Sequence, residues 1–426
     1  MSQATRILLS LVLGLAAGIA LAALAPGAVP GTVAVAQPIG SAWLNGLQMT
    51  IVPLVVSLLV TGVAATAEAA RAGRLAGRAI ALYVVMLAVS ATLSALLTPL
   101  FLSIAPLPAD AAAALRHALG QAEAIPPVPP IGEFLVAAIP NNIVKAAADS
   151  AFLSLIIFTL VFAFAVTRIG EAQRQMLTGF FTAVRDAMLV VIDWVLWIGP
   201  LGVGALALVV GAKAGTSAFG ALLHYIGTLV AVGFSVSLLA YPMAVLGARV
   251  SLGRYVRAAM PAQAVAISTQ SSLASLPAML GGAEQLGVRV STAGVTLPLA
   301  VAIFRWTGPA MNLGVAIYVS RWFGIELPPA TLALAVLVAT LTSLGSVSLP
   351  GTVSYISAIA PVAATLGAPL APLGLLVAVE TIPDIMRTLG NVMMDLATTA
   401  TLGRREIAAP DADGGEGDLL VQETIR

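Results

Sequence analysis

Leu373-Gly-Leu-Leu-Val-Ala-Val-Glu380-Thr-Ile-Pro-Asp384-Ile-Met-Arg387-Thr388-Leu-Gly-Asn391-Val-Met-Met-Asp395-Leu-Ala-Thr-Thr-Ala-Thr-Leu402 is the last long apolar stretch of the chain, and its reading decides the rest. In an α-helix each residue advances by about 100°. Glu380, Asp384, Arg387, Asn391 and Asp395 then share a stripe roughly 80° wide. Leu389, Val392, Met393 and Leu396 point mostly elsewhere. A charge at mid-bilayer costs about 2.5–3.5 kcal/mol on insertion scales, so this stripe turns to protein or to a water-filled cavity. It reads in two ways. One is a self-neutralising structural cluster, with Arg387 bonding Asp384 or Asn391. The other is a site for a small charged solute, which is the default for ionisable groups at this depth.

Composition makes the rest of the chain a membrane scaffold. Hydrophobic residues are 59% and charged residues 9%, against roughly 25% charged in a soluble domain. Mean hydropathy is +1.02. A net charge of +1 gives no footprint for nucleic acid; the expected surroundings are membrane lipid. The absence of Cys removes disulfides, thiol catalysis and Cys-ligated metals together. His117 and His224 lie far apart with no metal-ligand spacing, so neither a metal nor a cofactor is expected.

In chain order, residues 7–24 form an apolar run longer than the roughly 7–15 residues of a signal-peptide core, and read as a retained first span. Residues 42–65 are the second, with Pro53 in mid-helix, which a membrane bundle tolerates. The third covers 80–104. A Pro/Ala-rich stretch with Pro106, Pro108 and Pro126 to Pro130 is the one long loop. Ile139-Pro-Asn-Asn142 opens a re-entry before a fourth span at 152–166. The fifth ends near Gly199-Pro-Leu-Gly-Val203, and the sixth covers 222–246. With the N-terminus in the cytoplasm, the Arg groups at 71–78, 168–185, 249–257 and 404–405 all fall inside, as the positive-inside rule requires. That places both termini in the cytoplasm of a protein integral to the plasma or inner membrane. The tail, 406–426, is acidic and Gly-rich and reads as disordered.

Two later segments are apolar overall but broken by small polar residues and proline. They are Ser268-Thr-Gln-Ser-Ser-Leu-Ala-Ser-Leu-Pro277 and Ser343-Leu-Gly-Ser-Val-Ser-Leu-Pro-Gly351. Both read as helix, non-helical tip, helix. Paired broken segments point to a transporter's midplane site. Irregular backbone survives at that depth only where it lines protein or a cavity, and its free N–H and C=O groups then bind solute or ion. Neither segment is hydrophilic enough for an ordinary loop.

These residues carry a resemblance to the dicarboxylate/amino acid:cation symporters, the glutamate-transporter family. Ser271-Ser272 with Ser275-Leu276-Pro277 is similar to the serine-rich tip of the family's first hairpin. Thr296-Leu-Pro-Leu299 is similar to the start of its seventh span, and Leu344-Gly345 through Pro350-Gly351 to the second hairpin tip. Asp384, Arg387-Thr388, Asn391 and Asp395 match its last helix position for position. Weaker matches are Met49 to Pro53, Ile139-Pro-Asn and Gly199-Pro-Leu-Gly. The resemblance implies an all-α membrane protein with eight spanning helices and two re-entrant helical hairpins, assembled as a homotrimer and moving by an elevator-like step. Residues 1–75 and 107–215 would form its scaffold, and 76–106 and 216–405 its moving transport domain. It further implies that Arg387 grips a substrate's distal carboxylate, as a guanidinium fork suits. Asp384 would take the amino group, with Thr388 and Asn391 completing the polar cage. Main-chain groups around Ser271 and Ser272, and from Leu349 through Gly351 to Val353, would close over the α-carboxylate. Asp384 favours an amino acid, because a plain diacid offers it no cation.

The departures bear on the coupling ion. Where the family's seventh span breaks at Asn-Met-Asp-Gly-Thr, with sodium-binding groups, this chain has Phe304-Arg305-Trp306-Thr307-Gly308. In the third span Tyr83 remains, but Met86 and Leu87 replace hydroxyls. Asp395 stands where the family has a sodium ligand, with no ion obvious for it. One sodium site remains open, built from second-tip carbonyls near Ser343, Leu344 and Ser346. Asn312 stands where proton-coupled members carry an acid, and Gln270 where some carry an Arg. Arg305 reads either as a built-in cation facing Asp395 or as a second anchor for an anionic substrate. The expected activity is secondary active transport of an acidic amino acid or related dicarboxylate, with altered or absent sodium coupling. The alternatives are a transporter-like receptor or sensor, and a C4-dicarboxylate transporter or exchanger. An intramembrane enzyme lacks any visible nucleophile–base pair.

Overall fold

The computed structural model describes residues 3–71, 73–108, 112, 113, 116, 139–344 and 351–408, and every regular element among them is helical. The first half comprises α1 (Gln3–Leu24), α2 (Val29–Gln48), α3 (Ile51–Arg71), α4 (Arg74–Ile104), α5 (Ile143–Ala148), α6 (Phe152–Val166), α7 (Glu171–Trp197), α8 (Gly199–Ala214) and α9 (Ser217–Ser237). Then come α10 (Leu252–Thr269), α11 (Leu276–Gln285), α12 (Val290–Ile303), α13 (Thr307–Trp322), α14 (Pro329–Leu344), α15 (Gly351–Thr365), α16 (Ala371–Leu376), α17 (Thr381–Leu402) and α18 (Arg404–Ala408).

Among the described residues, five stretches are long and apolar enough to cross a membrane, or six if α7 and α8, bent by 56°, form one span. The 22-residue α17 is not among them, since it carries Asp384, Arg387 and Asp395. The helix expected as the fourth span, α6, has the expected bounds, and at 15 residues it is shorter than those five. Before it, where the sequence suggested a re-entry, Asn142 Oδ1 accepts from the Lys145 N–H and starts the short helix α5.

Proline accounts for the main differences from the sequence reading. A proline ring clashes with the carbonyl four residues back, yet is tolerated in a helix's first turn. Pro53, Pro309 and Pro383 are each the third residue of a helix, α3, α13 and α17. The residues four back, Met49, Arg305 and Val379, lie in breaks. The second apolar run is therefore interrupted at Met49–Thr50 and starts at Val29, rather than passing through Pro53 from residue 42. The last run likewise is not one helix from 373 to 402. It is α16, a turn at 377–380, then α17, so Glu380 precedes the helix instead of opening its stripe. The third span begins at Arg74 rather than 80, and α8 is a separate helix after the expected end of the fifth span. Residues 406–408, expected in the tail, belong to α18. There Glu406 accepts from the Arg289 N–H (3.0 Å) and the Thr292 hydroxyl (2.6 Å), capping α12.

Close crossings need glycine. A Cβ at Gly14 or Gly18 of α1 would collide with main-chain atoms of α8, the small-residue packing common between membrane helices. One at Gly390 would run into Ser237 of α9 and Thr307. Gly390 thus lets α17 press against the α12–α13 break. Two apolar cores flank that point. One joins α1 to α3, α6 to α9 and α13 to α16; the other joins α4, α10 to α12, the end of α9 and the inner half of α17.

Candidate functional site

The polar stripe of α17 lies in the interior. Glu380 and Asp395 are fully buried, and Asp384, Arg387, Thr388 and Asn391 nearly so. Arg387 is its hub. Nη2 donates to Glu380 Oε1 at 2.5 Å and Nη1 to Asn312 Oδ1 at 2.9 Å. Nε lies 3.2 Å from Asp384 Oδ1. Protein oxygens therefore meet the guanidinium on three sides, two of them carboxylates, so part of the self-neutralising arrangement is real. The partners differ from those first weighed: Glu380 and Asn312 join Asp384, and Asn391 is turned elsewhere.

Asn391 serves the neighbouring break. Its Oδ1 accepts from the Thr307 N–H at 2.9 Å, satisfying an orphan donor at the start of α13. The Thr307 hydroxyl sits 2.6 Å from the Arg387 carbonyl and 2.8 Å from Asn391 Oδ1. Nδ2 of Asn391 is buried with no partner among the described residues. A buried donor left so costs about 1–3 kcal/mol unless something fills it. Together with Arg387 it offers N–H groups to an anion.

The first hairpin tip reaches this place. Gln270 ends α10 in the left-handed region (φ 53°), and its Nε2 donates to the Thr381 carbonyl at 3.3 Å. Ser271 Oγ accepts from the Ala274 N–H, while the Ser275 hydroxyl donates to the Ser271 carbonyl; Ser272 is buried. Of the second tip, Ser346 and Leu349 lie outside the described residues, and Gly351 and Val353 are described only as backbone opening α15. Leu344 ends α14. Ser343 donates to the Ala339 carbonyl at 2.7 Å and faces Gly308, where an added Cβ would lie 3.7 Å from its Oγ. His117 and the prolines from 126 to 130 also lie outside the described residues.

Arg305 occupies the break between α12 and α13. Its charge lies within Coulombic reach of Asp384 first, then Arg387 and Asp395. Asp395 has neither carboxylate oxygen hydrogen-bonded among the described residues. A direct hydrogen-bonded pair between Arg305 and Asp395 is thus absent, and the arginine acts on Asp395 only through its field. Tyr83 and Tyr255 flank the same carboxylate, but their hydroxyls donate to the carbonyls of Thr296 (3.0 Å) and Met393 (2.5 Å).

Four contributors are not part of this cluster in the sequence reading, although Asn312 is noted there for its bearing on proton coupling. Tyr225 donates to Glu380 Oε2 at 3.3 Å, and its hydroxyl lies 2.8 Å from that of Tyr355. Asn312 and Thr307 complete the set. The signal for the tyrosines is a polar-tipped aromatic inside an apolar run, which by itself also describes Tyr83, Tyr255 and Tyr318. The pairing of 225 with 355 has no local signature.

Comparison with known proteins follows the geometry. The profile of the sodium:dicarboxylate symporter family matches residues 4–405. The C4-dicarboxylate transport protein of Laribacter hongkongensis is 26% identical over 283 residues, covering 65% of this chain and 62% of that protein. C4-dicarboxylate transport protein 1 of Pseudomonas aeruginosa is 29% identical over 286 residues, 64% of this chain and 60% of that protein. The proton/sodium-glutamate symport protein of Bacillus subtilis is 27% identical over 278 residues, 65% of this chain and 64% of that protein. The matched part therefore spans less than two thirds of each of these relatives.

Proposed function

Because the chain belongs to the sodium:dicarboxylate symporter family, a family of transporters integral to membranes, we propose that it is a secondary active transporter of an acidic amino acid or related dicarboxylate. The observation that carries this is Arg387, a buried guanidinium on α17, beside the carboxylate of Asp384 and the Nδ2 of Asn391, which has no partner among the described residues. Arg387 would take the distal carboxylate and Asp384 an ammonium. Thr388, Asn391, Ser271, Ser272 and the main chain from Leu349 through Gly351 to Val353 would complete the cage. The protein works as a homotrimer in the inner or plasma membrane with both termini cytoplasmic. Residues 76–106 and 216–405 move as an elevator against a scaffold of 1–75 and 107–215. With Arg305 in the break of the seventh span, sodium coupling is reduced to a residual site at Ser343, Leu344 and Ser346, or lost.

A plain C4-dicarboxylate is the second reading. It is favoured by the reach of Arg305 to Asp384, which neutralises the one group that selects an ammonium. Uptake of radiolabelled aspartate, glutamate and malate into proteoliposomes, with sodium and proton gradients imposed in turn, tests both. Accumulation of at least one substrate is expected. Binding without accumulation would mean a sensor, and neither binding nor uptake would remove the reading.

A further inference from the structure

The guanidinium assigned to the substrate already holds a carboxylate. Glu380 is fully buried at the turn before α17, with Oε1 2.5 Å from Arg387 Nη2 and Oε2 accepting from Tyr225. An incoming carboxylate competes with Glu380 for the same N–H groups. If Glu380 stayed ionised after losing that contest, it would be a buried charge stripped of its counter-ion, a loss of several kcal/mol. The surroundings make this worse. Among the described residues, Glu380, Asp384 and Asp395 face Arg387 and Arg305, one more acid than arginine before any anion enters. Asp384 lies at Arg387 Nε and in the field of Arg305, whereas the cation acting on Glu380 is Arg387.

We propose that Glu380 is the proton-coupling residue of this transporter. As a carboxylate it occupies Arg387 in the empty site. When a substrate carboxylate displaces it, Glu380 binds one proton from the aqueous phase at a carboxylate oxygen, and releases it when the substrate leaves. No bond other than O–H forms or breaks, and one proton moves with each substrate. The titratable and charged groups facing Glu380 are Arg387 and Asp384 from α17, Tyr225 from α9 and Tyr355 from α15; α13 contributes only the amide of Asn312. The phenol pair is suited to the change, because each hydroxyl both donates and accepts. Tyr225 donates to the carboxylate, and by turning its proton to Tyr355 it accepts from the acid. Tyr318 and His224 stand one layer out: the Tyr318 ring meets that of Tyr225 at 5.3 Å, and its hydroxyl meets His224 Nδ1 at 2.8 Å. The inference rests on the acidic-substrate reading, and it moves proton coupling to a residue outside the position where Asn312 stands.

The test uses proteoliposomes of the full chain loaded with pyranine, with aspartate, glutamate or malate outside, in buffers with and without sodium. Substrate entry should acidify the interior, and an inward proton gradient should drive accumulation. Affinity should weaken about tenfold per pH unit once Glu380 must gain its proton, the slope for one linked proton. In Glu380→Gln, binding and substrate exchange should persist with pH-independent affinity, while the proton gradient no longer drives uptake. Tyr225→Phe, which keeps the packing, should shift the midpoint of the pH dependence. Uptake without acidification, accumulation by Glu380→Gln under a proton gradient, or an unmoved midpoint in Tyr225→Phe would each overturn the inference and leave transport standing. No uptake of any substrate under any gradient would overturn the transport reading and this inference with it.

Discussion

Arg387→Cys separates what the arginine does for the protein from what it does for the substrate. In the folded chain the guanidinium answers Glu380 at 2.5 Å, Asn312 at 2.9 Å and Asp384 at 3.2 Å, all buried. Removing one partner of a buried ion pair costs about 3–5 kcal/mol, because the other charge stays behind. Losing the counter-charge to a substrate carboxylate costs about 2–5 kcal/mol, or about thirtyfold to a few thousandfold in affinity. The two losses respond differently to a second change. In Arg387→Cys with Glu380→Gln the stranded acid is gone, so stability should recover in part while acidic-substrate affinity stays lost. Thermal unfolding in detergent reads the first and calorimetric titration with aspartate and malate the second. The natural chain has no Cys, so thiol labelling of the variant also reports whether solvent reaches position 387. Aspartate affinity within threefold of the parent's, where the parent binds aspartate, would show that Arg387 is a structural counter-ion and no substrate ligand.

Three further outcomes are expected. Asp384→Asn should weaken amino-acid binding by a few kcal/mol, the scale of a broken buried charge pair, and leave a plain diacid unaffected or tighter; titration giving the opposite ranking would take the ammonium away from Asp384. Arg305→Ala should lower affinity for acidic substrates more than it lowers thermal stability, because no hydrogen bond ties it to Asp395; recovery of stability by Asp395→Asn would instead restore the built-in cation. Gly390→Ala should destabilise by about 1–3 kcal/mol through overpacking against Ser237 and Thr307, and a melting temperature equal to the parent's would mean that this crossing is looser than it stands.

The fold was legible because apolar runs and broken segments are local signals. Phe152–Val166 and the helix–tip–helix form of 252–285 follow from them directly. The break at 304–306 lies where the resemblance put it, whereas those before Pro53 and Pro383 went unread because proline is tolerated inside membrane helices. Pro38, Pro99, Pro261, Pro298 and Pro361 do lie inside helices. Pro53, Pro309 and Pro383 instead sit in first turns, with the regular helix interrupted just before them. At such a break the carbonyl four residues before the proline is open to another partner. At Arg305 it accepts from the Gly308 N–H at 2.8 Å, a choice that tertiary packing makes.

The site was legible only along α17. Helical spacing gathers Asp384, Arg387, Asn391 and Asp395 on one face, but it cannot say which neighbour each side chain finds across the bundle. Arg387 meets Asn312 from 75 residues away, and Glu380 meets Tyr225 from 155 away. This explains why the question of coupling changes once the partners are seen. On the sequence alone the unpaired acid is Asp395, and Arg305 looks like its substitute ion. In the structure Arg305 acts most strongly on Asp384, and the carboxylate of Asp395 has no hydrogen bond among the described residues. The acid seated on the guanidinium proposed for the substrate is Glu380. An anion entering such a site must displace a carboxylate, so neutralising that carboxylate is the direct way to admit substrate without stranding a charge. Any cation bound at Asp395 or at the second tip would act on the site as a whole, and would leave the contest at Arg387 undecided.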